Sequence, residues 1–312
     1  MRGLVRLRCV GAALAAVAIW TTSDREAARA AERTQVVLLG TGTPRPDPER
    51  SGPSTAIVVG DTPYLVDVGP GVVRRAQAAF EKGIAGLEVM KLRTLFVTHL
   101  HSDHTVGYPD LIFTTWVQGR KQSLRAFGPK GFAAMTQHVI QAWQADIDVR
   151  TKGLEHRSAE GVIVEAHEVN PGQVYQDEHV KVIAFSVNHG DLPQAFGYRF
   201  ESADRTVVIS GDTSPSPALV DACQKCDVLI HEAYAENYRP AAVPDWIEYR
   251  SKYHTTTTQL AEIATKTQPR LLIVYHRGVG PSGSQISDAE YLAEIARTYR
   301  GKVVIGHDLD VY

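Results

Sequence analysis

Cysteine is scarce in this chain, three in 312 residues, so a disulfide-framework domain is excluded. Glycine and proline, at 25 and 16, are too few for a collagen or for long disorder. Charge of one sign is lacking as well, with 33 Lys and Arg against 35 Asp and Glu and a net charge of -2. The first 30 residues hold five Arg against Asp24 and Glu26, which leaves the remainder near -5. That balance offers no global attraction for a polyanion, so nucleic acid is not the expected partner and a small anionic ester is. No run of 18 apolar residues is present, and no membrane span is therefore expected once the amino-terminal segment is removed. What is there, 44% hydrophobic and 22% charged residues, suits one sizeable globular domain.

The amino terminus reads as an export signal. Arg2, Arg6 and Arg8 precede an uncharged stretch from Cys9 to Trp20, and Ala28-Arg29-Ala30 forms a small-x-small cleavage pattern. Residues 1–30 are thus expected to be a signal peptide and 31–312 the mature domain, periplasmic or secreted. Cys223 and Cys226 then remain, three apart, and are read as a local disulfide or two free thiols.

Short runs rich in Val and Ile alternate with segments of helical period, an α/β pattern. Strands are expected at 35–39, 54–59, 63–66, 94–97, 162–166, 180–187, 196–200, 206–209, 228–230, 271–275 and 303–305. Helices are expected at 72–81, 131–144, 215–223, 256–267 and 288–300.

The chemistry concentrates in Thr98-His99-Leu100-His101-Ser102-Asp103-His104, which follows the strand Leu95-Phe96-Val97. Residues two apart on an extended segment point the same way, so His99 and His101 can converge on one ion while Leu100 anchors inward. Asp103 and His104 come after the turn and can face a second ion. Imidazole and carboxylate suit a borderline divalent metal such as zinc, and also admit manganese, iron or cobalt. His189, Asp212 and His276 each sit where an expected strand runs out into a loop, the place where open α/β sites are assembled.

With these residues the sequence resembles the metallo-β-lactamase fold superfamily over residues 34–312. Within it the chain is most similar to the branch of ribonuclease Z and the zinc-dependent arylsulfatases, through Gly40-Thr41-Gly42-Thr43-Pro44, Leu65-Val66-Asp67-Val68-Gly69, Gly128-Pro129, Ser210-Gly211-Asp212-Thr213 and His231-Glu232-Ala233. The resemblance implies a four-layer αββα sandwich with two metal ions at one sheet edge. It assigns His99, His101, His189 and Asp212 to the first ion and Asp103, His104, Asp212 and His276 to the second, with Asp212 bridging and Asp67 buried behind them. It also implies that Glu232 and His254 help protonate the leaving oxygen, and that homodimers occur. His231 is left as either a group behind the ligands or a substrate contact.

Two divalent ions facing Asp103, Asp212 and a hydroxide leave the centre net positive, which lowers the pKa of a shared water and stabilises an anionic transition state. Asp103 can also accept a proton from the attacking water. Three observations argue against RNA processing: only 22 residues separate His189 from Asp212, with no room for a long basic arm; His276-Arg277-Gly278-Val279-Gly280 departs from the nuclease His-x-Ser-x-Arg ending; and export, with an acidic mature charge, would separate the protein from transfer RNA. The expected function is therefore an exported, arylsulfatase-like dinuclear zinc hydrolase of sulfate or phosphate esters. A ribonuclease Z-like endoribonuclease without the arm, and a lactone or β-lactam hydrolase, are the alternatives. Tyr234, Tyr238, Trp246, Tyr249 and Tyr253, with Pro240 and Pro244 between them, either wall a substrate pocket or pack over the sandwich edge.

Overall fold

The computed structural model describes residues 33–236, 238, 244–278 and 286–312. The expected signal at 1–30, Pro240, Val279 and Gly280 lie outside the described residues. Among those described, no helix is long and apolar enough to cross a membrane.

Strands β1 (Thr34–Gly40), β2 (Ser54–Val59), β3 (Thr62–Val66), β4 (Thr94–Phe96), β5 (Leu124–Gly128) and β6 (Val164–Glu168) form one sheet in that order. Its first three strands pair antiparallel and the rest parallel. The second sheet runs in chain order through β7 (Gly172–Gln176), β8 (Val180–Ser186), β9 (Phe196–Ser202), β10 (Thr206–Ile209), β11 (Val228–Glu232), β12 (Leu271–Tyr275) and β13 (Val303–Ile305). Here β7 to β10 form a meander and β10 to β13 are parallel.

Side-chain alternation explains the layering. Val36 and Leu38 of β1, and Ile273 and Tyr275 of β12, enter the core between the sheets. Their neighbours face outward onto helices: Val37 and Leu39 join the cluster with α1 (Val72–Glu81), whereas Leu272 and Val274 join that with Leu260 and Ile263. Strands apolar on both faces are what a sheet covered on both sides requires. The helices α2 (Ser102–Thr105), α3 (Tyr108–Val117), α4 (Phe132–Ala142) and α5 (Gln144–Lys152) follow on the first half, and α6 (Pro217–Ala222), α7 (Trp246–Tyr253), α8 (Thr257–Thr267) and α9 (Asp288–Ile295) on the second. The expected αββα architecture is therefore present.

Several elements differ from expectation. Helix α3 was not expected, because Tyr108, Leu111, Ile112, Phe113, Thr115 and Trp116 are all buried and leave no polar stripe to mark a period. The helix expected at 131–144 ends at Ala142, and the separate α5 starts at Gln144, with Trp143 between them. Strands β5 and β7 carry Arg125 and Gln173, which interrupt the apolar pattern. Cys223 and Cys226 are joined as a disulfide, both sulfurs buried beside α6.

The chain closes on itself. Val36 and Tyr312 exchange backbone hydrogen bonds at 3.0 and 2.9 Å, and Leu38 N donates to Asp310 O at 3.0 Å. Asp308 accepts from Thr41 N and Oγ1 at 2.9 and 2.8 Å and from Ser51 N at 2.7 Å. Residues 34–51 are thus fastened by residues 308–312.

Candidate metal centre

Strand ends from both sheets deliver the site. β4 runs out into Thr98 and His99, β8 into His189, β10 into Asp212 and β12 into His276. Left-handed backbone turns aim these groups: Gly190 follows His189 with φ 59°, Gly211 precedes Asp212 with φ 61°, and His276 itself has φ 45°. A Cβ on Gly211 would lie 2.8 Å from Phe196 O, so no other residue fits that turn without movement. His276 lacks that freedom, and such strained residues gather at functional sites.

Three of the five imidazoles are oriented from behind. Asp67 accepts from His104 Nδ1 at 2.8 Å and from Thr98 N at 2.8 Å, and Thr98 Oγ1 lies 2.9 Å from His99 Nδ1. His189 Nδ1 donates to Tyr253 O at 2.7 Å. These bonds turn the Nε2 atoms of His99, His104 and His189 inward, as acceptors at the far ring nitrogen do for metal-binding histidines.

The inward atoms crowd together. His189 Nε2 is 3.1 Å from His101 Nδ1, His104 Nε2 is 3.3 Å from His276 Nε2, and His276 Nε2 is 3.2 Å from Asp103 Oδ2. His99, His101 and His189 form one group whose ligand atoms lie within 4.8 Å of one another; Asp103, His104 and His276 form a second. Asp212 joins them, with Oδ1 3.5 Å from His104 Nε2 and Oδ2 3.5 Å from His276 Nε2. His99 Nε2 and Asp212 Oδ1 are buried yet accept or donate no hydrogen bond. Imidazole nitrogens and carboxylate oxygens converging in a buried space are a donor set for cations. All seven expected ligands are therefore brought together, and they fit two divalent ions.

Charge in the cluster is divided. Burial holds the His99 imidazole well below its ordinary pKa and lowers His189 to about 4, which keeps both neutral. Burial acts likewise on His104 and His276, but Asp212 with Asp67, and Asp212 with Asp103, outweigh it and raise both. Asp212 stays well below the usual carboxylate range because His276 and His104 overcome its burial.

Glu232 and His254 meet beside this cluster. His254 Nδ1 is 3.1 Å from Glu232 Oε1, and the His254 ring packs 5.1 Å from that of His189. Burial raises the Glu232 pKa. His231 does not enter the ligand groups; its Nδ1 donates to Glu232 O at 2.6 Å, and burial lowers it to about 4. Tyr234, Tyr238, Trp246 and Tyr249 pack on one another and on His254, so that part of the aromatic segment is the edge packing. Two participants gave little signal in the sequence: Thr98, which ties Asp67 to His99, and the Tyr253 carbonyl, a group every residue possesses.

Comparison with known proteins sets this geometry in a family. Residues 62–277 match the model of the beta-lactamase superfamily domain. The chain is 30% identical over 282 residues to a protein named ribonuclease Z from Mycobacterium bovis, covering 88% of this chain and 96% of that one. It is 32% identical over 277 residues to a ribonuclease Z from Mycobacterium sp. strain KMS, covering 88% and 94%. Among solved structures, human tRNase Z, short form, superposes with a TM-score of 0.63 at 22% identity over 89% of this chain and 98% of that one, a likeness of fold. The chain belongs to the beta-lactamase superfamily, among the homologues of ribonuclease Z.

These relatives overturn the arylsulfatase-like expectation. Between His189 and Asp212 the chain forms only β9 and β10, as expected. The inference drawn from that short stretch fails, however, because the ribonuclease Z relatives align over 94–96% of their own length and hold no long segment that this chain lacks. The expectation against nucleic acid loses one of its three arguments with it, and it conflicts with relatives named ribonuclease Z.

Proposed function

We propose that this chain is a metal-dependent phosphodiester hydrolase of the ribonuclease Z kind, acting on RNA. The observation that carries the reading is the buried Glu232–His254 pair, 3.1 Å apart, placed against His189 of the ligand cluster in a chain related to ribonuclease Z over most of its length. A phosphodiester with an alkoxide leaving group needs a proton as well as a nucleophile, and this site is built to give one.

His99, His101, His189 and Asp212 would hold one ion, and Asp103, His104, Asp212 and His276 the other; zinc is the proposed metal, given five imidazoles among the donors. The ions would supply positive charge for the phosphoryl oxygens and acidify the attacking water. Asp103, kept ionised by His276 and His104 despite its burial, accepts a proton from that water. Glu232 orients His254 through Nδ1, which leaves Nε2 to face the leaving side. A cleft of about 600 Å³ lined by Arg45, Ser102 and Asp103 adjoins the cluster and offers the Arg45 guanidinium to a phosphate, while Arg50, also in its wall, is held by Thr41 and Arg277 O. With residues 1–30 read as an export signal, the RNA proposed as substrate is met outside the cytoplasm.

The test is cleavage of a 3′-extended transfer RNA and of a single-stranded oligoribonucleotide by zinc-reconstituted protein, with p-nitrophenyl sulfate as contrast. RNA cleavage that a chelator abolishes supports the reading. Hydrolysis of the sulfate with both RNAs left intact overturns it.

A further inference from the structure

The foot of the first sheet carries a pocket that the chemistry above does not use. It measures about 250 Å³, and its wall includes Thr62, Lys91, Arg93, Thr94, Gln122 and Arg125. Strands β3, β4 and β5 run parallel here, so Thr62, Thr94 and Arg125 lie together near their starts, whereas His99 follows the far end of β4. Five residues of extended chain, at ~3.3 Å each, put Thr94 about 16 Å from His99. The pocket is therefore separate from the metal centre.

Charge is unbalanced in that wall. Asp61 is the one carboxylate lining it, and Asp61 Oδ2 is taken by Lys91 Nζ at 3.2 Å. Arg93 and Arg125 are half-buried, yet among the described residues no carboxylate lies within 4 Å of either guanidinium. Arg125 is held in place by neutral groups: Nη2 donates to Thr94 Oγ1 at 3.3 Å, and Cζ stands 5.0 Å over the Tyr175 ring. Behind them Arg120 is buried and donates only to Thr115 Oγ1, Gln122 O and Ile112 O, at 2.8, 2.7 and 3.0 Å. Its bond to Gln122 O fixes the turn that brings Gln122 to the wall. Burial first, and then the charge of Arg93, lower the Arg120 pKa to about 10. Three guanidinium groups thus stand close together without an anion, in a chain whose net charge is -2. Partly desolvated cations are costly until a counter-charge joins them.

The donor set states what that counter-charge is. A guanidinium fork matches the oxygens of a tetrahedral oxyanion two at a time, and Thr62 and Gln122 add a hydroxyl and an amide to the two forks. A terminal phosphate has three free oxygens and a charge near -2 at neutral pH, which uses both forks. A diester linkage has two free oxygens and one charge, and leaves one fork unmatched. We propose that this pocket binds the terminal phosphate of a small phosphomonoester between Arg93 and Arg125. The site goes beyond the proposed hydrolysis and does not depend on it.

The experiment titrates zinc-loaded protein with methyl phosphate and with dimethyl phosphate at pH 7.5 and constant ionic strength, and follows the arginine Nε–H and backbone amide signals in 1H–15N spectra. Methyl phosphate is expected to move the Arg93 and Arg125 Nε–H signals and the Thr94 amide along one saturable curve, and dimethyl phosphate to bind ~10-fold more weakly or less. In R93Q the apparent affinity read at Arg125 is expected to fall ~10-fold or more, as loss of a charge-assisted hydrogen bond predicts, and R125Q read at Arg93 gives an independent measure of the same loss. Shifts confined to the surroundings of His99 and His189 would place the anion on the metal centre and overturn the site. Shifts that rise linearly without saturation would reduce it to diffuse ionic contact and overturn it as well. Equal affinity for the two esters refutes the choice of a terminal phosphate, and unchanged affinity in both variants refutes the two arginines.

Discussion

The turn at residues 98–104 and the segment at 232–254 face the same centre from different sheets, and they are held there by different forces. The turn is fixed by main chain and a buried carboxylate. Val68 N donates to His104 O at 2.8 Å, Gly107 N to Val68 O at 2.9 Å, and Asp67 grips Thr98 and His104. Gly69 lies so close that a Cβ there would stand 2.7 Å from Asp103 O. The second segment is held by rings. Tyr234, Tyr238, Trp246 and Tyr249 pack edge and face, and main-chain bonds join its two ends, from Tyr234 N to Thr255 O and from Thr257 N to Tyr234 O, both at 2.9 Å. Ligand geometry tolerates errors of a few tenths of an ångström, which backbone contacts enforce, whereas a wall of side chains is exchangeable residue by residue. On the proposed reading, nucleophile formation is thereby separated from leaving-group handling.

That separation can be broken by substitution. The largest effect is expected in D212N, which removes the carboxylate shared by both ligand groups: bound metal should fall in elemental analysis, and diester turnover should drop by about 10³-fold or more. Full metal content with full activity would refute the ligand assignment. In D67A the acceptor behind His104 is lost, and zinc affinity measured by competition should weaken ~10–100-fold. W246A, by contrast, should remove about 3 kcal/mol or more of packing while metal stoichiometry stays that of the wild type. Loss of metal in that variant would show that the two segments are not independent.

The smallest effect tests a position remote from both. Asp177 accepts from Tyr64 Oη at 2.6 Å, Tyr175 Oη at 2.8 Å and the amides of His179 and Val180, and these bonds outweigh its burial to lower its pKa. A depressed folded pKa means stability that is present above the unfolded value, about 3.9, and lost as pH falls through the folded one. D177N should therefore cost about 1–2 kcal/mol at pH 7, and the gap should close below about pH 4 in urea titrations. A gap independent of pH would place the effect in packing.

Legibility in the sequence followed the range of the contacts involved. His99, His101, Asp103 and His104 are contiguous, and strands such as β1 and β12 declare themselves because both faces are apolar. His189, Asp212 and His276 could be placed at strand ends because each follows a Val- and Ile-rich run. Helix α3 was hidden by burial on nearly every side, and the Tyr249–His254 contact by the absence of any rule that says where an aromatic edge points. The reaction class was misread for a related reason. The spacing from His189 to Asp212 spans β9 and β10, and the length of that stretch does not state which ester enters the site.

The fastening of residues 34–51 by residues 308–312 has a consequence for synthesis. Asp308, which holds Thr41 and Ser51, is made about 10–40 s after His99 at ordinary rates of translation, and His276 precedes it only slightly. Through that interval the first ligands exist without the second sheet that completes their shell. The emerging chain would therefore carry these imidazoles with no closed cage, and the proposed coordination sphere would be completed late, when the last strand pairing arrives.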